Sequence, residues 1–309
     1  MKTAVVVNPH ARAFRLQEKL ASAVRLSSGG RARVWLTQHE SELDAAAEEM
    51  RLWGAERVVL CGGDGTLMSG VTALVRAFVN TPLPQLVVAP AGTVATVPRN
   101  WGQRAGLLDT VARACGAERP RRQCLWPTLR VVYDDQTRIG FIFGTGLVAR
   151  FFEKYYAAGG DGYRRAARIA ARTFVGSFVA DRYSRSILEP LRCTITVDGH
   201  PLPAARYSLV VSSVVRDLGL HMWVTHRAGE DPRRPHLVAS TLNPRRLGPQ
   251  APRVLLGRPL RGAGGFDDLC TGFVVQFPEG PGPWVLDGDI FFASEIGVQA
   301  GPQLHVAAF

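Results

Sequence analysis

The stretch RVVLCGGDGTLMSG, residues 57–70, joins an apolar run to a glycine turn with an acid at its centre. Residues 58–61 read as a buried strand and 67–79 as a helix, so Gly62, Gly63, Asp64, Gly65 and Thr66 form the turn between them. Glycine accepts positive φ, and its bare backbone lets successive N–H groups approach an anion closely. Thr66 is placed to cap the helix that follows, whose positive N-terminal end adds to the attraction for phosphate. An aspartate beside phosphates repels them unless a divalent cation lies between. Asp64 therefore implies either Mg²⁺ held with a nucleotide or a network that positions the acid. Without those ligands, the same residues describe a glycine-rich hairpin or helix entry with a solvated acid.

The neighbouring segments repeat the strand-to-helix rhythm. Residues 3–7 read as a strand, and 13–26 as a helix with Leu16, Leu20 and Val24 at i, i+4 spacing. A second strand at 32–36 precedes a helix over 41–53 that opens on Ser-x-x-Asp, and a fourth strand occupies 85–89. Alternating strands and helices imply a parallel, doubly wound sheet, whose ligands bind beyond the carboxyl ends of the strands. The unusual residues sit at those ends: Asn8-Pro9 after the first strand, Thr37 after the second, the glycine turn after the third, and Pro90-Ala91-Gly92-Thr93 after the fourth.

The texture changes at about Leu129. Strand-like runs at 129–133, 193–197, 207–215, 272–277 and 284–292 are separated by Gly, Pro and Asp-Gly turns, which implies a mostly antiparallel β-sandwich. The expected division is an α/β nucleotide-binding domain over 1–128, with the tail from about 295 to 309 packing back on it, and a β-rich acceptor domain over 129–294. A helical interlude at 163–179 places Arg164, Arg165, Arg168 and Arg172 on one face, with Ala166, Ala170 and Phe174 opposite. Residues 242–253 and 260–268 read as loops.

Length and composition fit this organisation: 309 residues with 46% apolar content bury a sizeable core, enough for two domains. The net charge of +11 favours anionic partners such as phosphates or lipid headgroups, although arginine enrichment also follows from a GC-rich genome. Five cysteines, with no Cys-x-x-Cys pair, argue against a disulfide framework or zinc site and for a reducing cytoplasm. The N-terminal apolar run stops at Asn8-Pro9, too short for a signal peptide, and no segment approaches the ~20 apolar residues of a membrane span. His39, His200, His221, His226 and His236 have no metal-ligand spacing and receive no chemistry here.

Taken together, GGDGT after a strand, Asn8-Pro9 after the first strand and PAGT after the fourth resemble the diacylglycerol and sphingosine kinase family of lipid kinases. The likeness extends through VAPAGTVATVPRNWG, with Arg99 and Gly102 at the end of the second nucleotide loop, to WVLDGDIF, similar to the family's late Asp-Gly-Glu. It implies that Asn8, Thr37, Gly62, Gly63, Asp64, Gly65, Thr66, Gly92 and Thr93 surround ATP, with Asp64 acting on Mg²⁺ and the phosphates. It further implies that Asp289 lies across an interdomain cleft and takes the proton from a lipid hydroxyl; read without the family, Asp287-Gly288 is a hairpin turn. The implied protein is a cytoplasmic enzyme peripheral to the membrane. Its substrate is a diacylglycerol-like lipid at the membrane surface, and it has no nucleic-acid partner. The arginine face over 163–179 reads either as an electrostatic contact with anionic headgroups or as a solvated face of a helix whose other side packs on a domain.

The pattern also departs from the family. His10-Ala11-Arg12 replaces the usual small residues and glycines, Met68-Ser69 replaces Asn-Glu, Ala95-Thr96 replaces Asn-Asp, and Asp289 is one methylene shorter than glutamate. For a structural metal in the β-domain, Glu230-Asp231 is the nearest acidic turn, with Asp231 as the ligand, and the alternative is a pair of surface acids. Two other functions stay open: a kinase with a soluble acceptor such as NAD, and a non-catalytic nucleotide or lipid sensor.

Overall fold

The computed structural model describes residues 1–17, 19–91, 96–103, 105–116, 118–159, 162–262 and 265–309, with the side chains of Arg12 and Leu16 left undescribed. The chain forms two compact units, Met1–Trp126 with Pro302–Phe309, and Pro127–Gly301.

The first unit is α/β. Its strands β1 (Thr3–Val7), β2 (Ala32–Leu36), β3 (Arg57–Gly62) and β4 (Gln85–Pro90) lie parallel in the order β2-β1-β3-β4. Every residue of β1 and β3 is buried, as expected of central parallel strands covered on both faces. The sheet continues through the C-terminal strand Leu304–Ala308, parallel to β4, to β5 (Arg122–Trp126), which runs antiparallel to it. The tail expected to return from about residue 295 does so only from Pro302, because Glu295–Ala300 is laddered between two strands of the second unit.

Helices fill the connections: α1 (Arg12–Leu16), α2 (Leu20–Ser27), α3 (Glu40–Trp53), α4 (Asp64–Ala77), α5 (Thr96–Asn100) and α6 (Leu107–Cys115). The single helix expected over 13–26 is broken at Gln17, whose backbone is extended (φ −139, ψ 91). The break lets Phe14 and Val24 both reach the core while the Ala13 N–H donates to the Ala91 carbonyl at 3.1 Å. Helix α3 buries Leu43, Ala46, Ala47 and Met50, an i, i+3, i+4, i+7 stripe, and stops at Gly54, where φ is +72. It begins at Glu40 rather than at a Ser41 cap, and the Glu42 carboxylate accepts from the Gln38 N–H at 2.7 Å instead.

In the second unit, two six-stranded antiparallel sheets carry the core. One runs His200–Pro201, Thr194–Val197, Gly272–Gln276, Glu295–Ala300, Leu129–Tyr133, Gln136–Gly140. The other runs Phe266–Leu269, His236–Ser240, Leu209–Ser213, Ile142–Gly146, Gly282–Leu286, Asp289–Ala293. Phe143 of the second sheet meets Phe273 of the first edge-on, with centroids 5.5 Å apart, and Trp284 meets Tyr133 in the same way at 4.8 Å.

Helices α7 (Leu147–Ala157), α8 (Tyr163–Val179) and α9 (Arg182–Leu188) pack a second apolar cluster that includes Tyr155, Ile169, Ile187, Leu209 and Val238. Asp181 caps α9 by accepting from the Ser184 N–H at 2.6 Å. Residues 242–253, read from sequence as a loop, contain the short helix Pro244–Leu247, a 3-10 turn and most of the helix Ala251–Leu255. Asn243 and proline start these helices, and Leu247 and Val254 are buried beneath them. The other expected loop, 260–268, ends inside the edge strand Phe266–Leu269, which pairs with His236–Ser240. No helix among the described residues is long and apolar enough to cross a membrane.

Candidate functional site

In an open parallel sheet, the crevice lies where neighbouring connections leave in opposite directions, and the order β2-β1-β3-β4 puts that point between β1 and β3. The register pairs Val7 with Cys61, so the loops after both strands emerge side by side. Their side chains meet: Asn8 Nδ2 donates to Thr66 Oγ1 at 2.9 Å, while Asn8 Oδ1 accepts from the His10 N–H at 2.8 Å. Asn8 and Thr66 are thus tied to each other across the crevice. Thr37, the next position on the β2 side, is buried, and its N–H donates to the Val7 carbonyl at 3.0 Å.

Helix α4 opens directly from the glycine turn. Gly63 is its N-cap and makes no side-chain cap bond, so the first-turn N–H groups of this 14-residue helix lack a capping side chain. This arrangement fits an anion: the amides and the positive helix end face the switch point, and glycine leaves room for close approach. Gly62 itself is set by packing, since a Cβ there would lie 2.3 Å from Thr66 Cβ. The Gly62 carbonyl accepts from the Ala91 N–H at 2.8 Å, which holds the loop after β4 against the turn.

Asp64 is the first residue of α4 and its only first-turn acid. Its Oδ2 accepts from the Thr96 N–H at 3.0 Å and its Oδ1 from the Val97 N–H at 3.3 Å, so the carboxylate pins the start of α5 to the glycine turn. Although its surface is only half-buried, the crowding that strips water from the carboxyl raises its pKa, opposed by the Thr96 and Val97 hydrogen bonds and by Arg99. A carboxylate has about four lone-pair sites. Among the described residues, the two amides and the Thr96 side chain take three of these on Asp64. Gly92 and Thr93, together with Ala95, lie outside the described residues.

Met68 and Ser69 stand where the sequence departs from the expected pattern. Met68 is 1% exposed and points into the core, so its side chain cannot bear on a ligand in the crevice. Ser69 Oγ reaches Glu40 of α3 at 3.4 Å.

In the second unit, the two acids of the late Asp-Gly-Asp have different jobs. Asp287 (φ +50) and Gly288 (φ +103) form the two-residue turn between Gly282–Leu286 and Asp289–Ala293. The Asp287 carboxylate is buried and accepts from the Phe141 N–H at 3.0 and 3.1 Å and from the Ile142 N–H at 2.9 Å. Asp289, one residue past the turn, is only half-buried. Beside it, α7 presents Tyr156, whose hydroxyl donates to the Gly288 carbonyl at 2.9 Å. Burial first, and then the charge of Asp289, push the Tyr156 phenol up to about 12. Phe152, one helical turn before Tyr156, lies against the same turn. Sequence reasoning missed α7, LVARFFEKYYA, although its N-cap Gly146, at φ +66, and its paired aromatics were available clues.

Asp231 accepts from the Arg233 N–H at 2.8 Å in a surface turn. Among the described residues, the group at metal-ligand distances is His226, His236 and Asp267, whose candidate atoms lie within 4.8 Å of one another. Histidines 226 and 236 are brought together by folding alone. Their hydrogen bonds describe a bracket: His236 Nδ1 accepts from the Arg227 N–H at 3.3 Å, which leaves Nε2 to donate to Asp267 at 2.8 Å.

Residues 2–122 match the model of the diacylglycerol kinase catalytic domain. A diacylglycerol kinase from Bacillus anthracis str. Sterne has a similar structure, with a TM-score of 0.63 and 13% identity over 100% of this chain and 97% of that one. A second solved protein of that strain gives a TM-score of 0.67, also at 13% identity, covering 100% and 96% of the two chains. At such identity the likeness is one of fold: an α/β unit and a mostly antiparallel β unit. No curated protein matches the sequence.

Proposed function

We propose that this chain, whose residues 2–122 match the model of the diacylglycerol kinase catalytic domain, is a kinase that transfers the γ-phosphoryl group of ATP to the hydroxyl of a diacylglycerol-like lipid. The observation that carries the reading is the uncapped N-terminus of α4 at the β1/β3 switch point, with Asp64 as the single acid of its first turn. The first-turn amides bind phosphate oxygens, and Asn8 and Thr66 fix the two loops that flank them. Asp64 would hold Mg²⁺, which when bound would supply positive charge against that developing during transfer. Thr37 adds to the nucleotide's surroundings.

Asp289 takes the proton from the acceptor hydroxyl as that oxygen attacks phosphorus. The half-buried carboxylate beside Tyr156 supports this role, whereas Asp287, with its oxygens committed to two amides, is the turn's anchor. Acting on a lipid, the enzyme works from the cytoplasm as a peripheral membrane protein.

The test incubates purified protein with γ-labelled Mg-ATP and, separately, diacylglycerol, a sphingoid base and NAD. Label is expected in a lipid. Asp289→Asn should lower turnover by about 10²- to 10⁴-fold while keeping the rise in melting temperature that Mg-ATP produces. Asp64→Asn should lose both. Label in NAD alone would remove the lipid reading, and full turnover by Asp289→Asn would remove the assigned base. Thermal stabilisation by Mg-ATP with no acceptor labelled would favour a nucleotide sensor.

A further inference from the structure

Helix α8 exposes one continuous stripe, and its chemistry changes along its length. Arg164, Arg168, Ala171, Arg172, Val175, Phe178 and Val179 are all exposed, and their spacing of i, i+4, i+7, i+8, i+11, i+14 and i+15 places them within about a third of the helix circumference. The first half of the stripe is cationic and the last turns are apolar: Val175 is 67% exposed, Phe178 58% and Val179 70%. The opposite side is spent on packing, through Ile169, Thr173, Gly176 and Ser177. The sequence reading, which placed Phe174 and the alanines opposite the arginines, missed that three large apolar residues share the arginine face.

We infer that this stripe docks the second unit onto an anionic lipid bilayer, with the C-terminal end of α8 entering the acyl region and Arg164, Arg168 and Arg172 lying among the headgroup phosphates. A bilayer is anionic outside and apolar inside, the same order as the stripe from Arg164 to Val179, a span of about 22 Å. The helix contains no acid, and none of Arg164, Arg168, Arg182 and Arg185 forms an ion pair among the described residues.

Arg172 is held over the Tyr183 ring at 4.0 Å, and the nearby Asp181 carboxylate is occupied in capping α9. The inserted end is also prepared for a water-poor layer. The Ala180 N–H donates to the Ser177 carbonyl at 3.2 Å and the Asp181 N–H to the Gly176 carbonyl at 3.1 Å, so two terminal carbonyls are already satisfied. A second copy fits worse, because parallel pairing along this face opposes arginine to arginine, and antiparallel pairing buries guanidinium against Phe178.

The test is co-sedimentation of the full chain with phosphatidylcholine vesicles, with and without phosphatidylglycerol, at low and high salt, with far-ultraviolet melting confirming that each variant is folded. Wild type should pellet with the anionic vesicles. Each of Arg164→Gln and Arg168→Gln should weaken low-salt binding about fivefold. Phe178→Ser with Val179→Ser should remove the binding that persists at high salt, a loss of roughly tenfold or more.

Equal binding to neutral and anionic vesicles, or folded variants that pellet like wild type, would overturn the inference. So would wild type that ignores vesicles but self-associates through Phe178. No phosphoryl transfer is read, so a failed kinase assay and a failed docking assay are distinguishable.

Discussion

Replacing Asp287 by alanine separates the turn's anchor from the assigned base. In the wild type, both oxygens of Asp287 accept from the Phe141 N–H, at 3.1 and 3.0 Å, and one accepts from the Ile142 N–H at 2.9 Å. Alanine leaves two interior amides without these acceptors, at about 1–3 kcal/mol each. It also keeps a residue at φ +50, which costs an ordinary side chain roughly 1 kcal/mol more than glycine or aspartate. The central expectation is therefore about 5 kcal/mol, or roughly 10–20 °C in melting temperature for a unit of this size.

Asp287→Asn keeps one carbonyl acceptor and should lose only about 1–2 kcal/mol. Asp289→Asn, on the half-exposed side of the turn, should stay within ~0.5 kcal/mol of wild type. Urea unfolding followed by tryptophan fluorescence reads all three, since Trp284 is fully buried in the strand leading to the turn. An unchanged midpoint for Asp287→Ala, or equal destabilisation by Asp289→Asn, would refute this division of labour.

Gly62→Ala should destabilise the first unit and weaken Mg-ATP binding together, because its Cβ would fall 2.3 Å from Thr66 Cβ and displace the Asn8–Thr66 hydrogen bond. Overpacking of about 1–3 kcal/mol plus about 1 kcal/mol for the bond is expected in urea unfolding. For Asp198, burial raises the carboxyl, but hydrogen bonds from the Thr271 hydroxyl and the Gly272 and Thr271 amides outweigh it, leaving the pKa lowered. That group therefore stabilises above the ordinary carboxylate range, and its contribution is lost as pH falls through the lowered value. Asp198→Asn should cost up to about 1 kcal/mol at neutral pH, discounted for exposure, and nothing in strong acid. Tyr156→Phe should lower turnover on lipid more than it lowers stability. In the Asp289→Asn variant, the Tyr156 phenol should titrate below its wild-type value of about 12, as read by NMR of labelled tyrosine.

Local chemistry made much of the fold readable. The buried runs at Thr3–Val7 and Arg57–Gly62, the amphipathic periods of α3 and α8, and the Asp-Gly turn each declare themselves within a few residues. Less legible were elements whose stability comes from distant partners. The C-terminal strand is such a case: Leu304–Ala308 enters the first sheet between β4 and β5, a ladder joining residues far apart in the chain. The short helices over Pro244–Leu247 and Ala251–Leu255 carry too few turns to show a period and are held by burying Leu247 and Val254.

By itself, the sequence determined that an acid sits in a glycine turn between a strand and a helix, because glycine's freedom and apolar periodicity are properties of adjacent residues. Only the tertiary structure decided what its neighbours do. It made Met68 a core residue rather than a missing ligand contact, tied Asn8 to Thr66, set Asp64 against the start of α5, and gave Asp287 the anchoring role beside a half-buried Asp289. Those roles depend on which donors lie within about 3 Å, and folding sets that distance between residues that the chain keeps far apart.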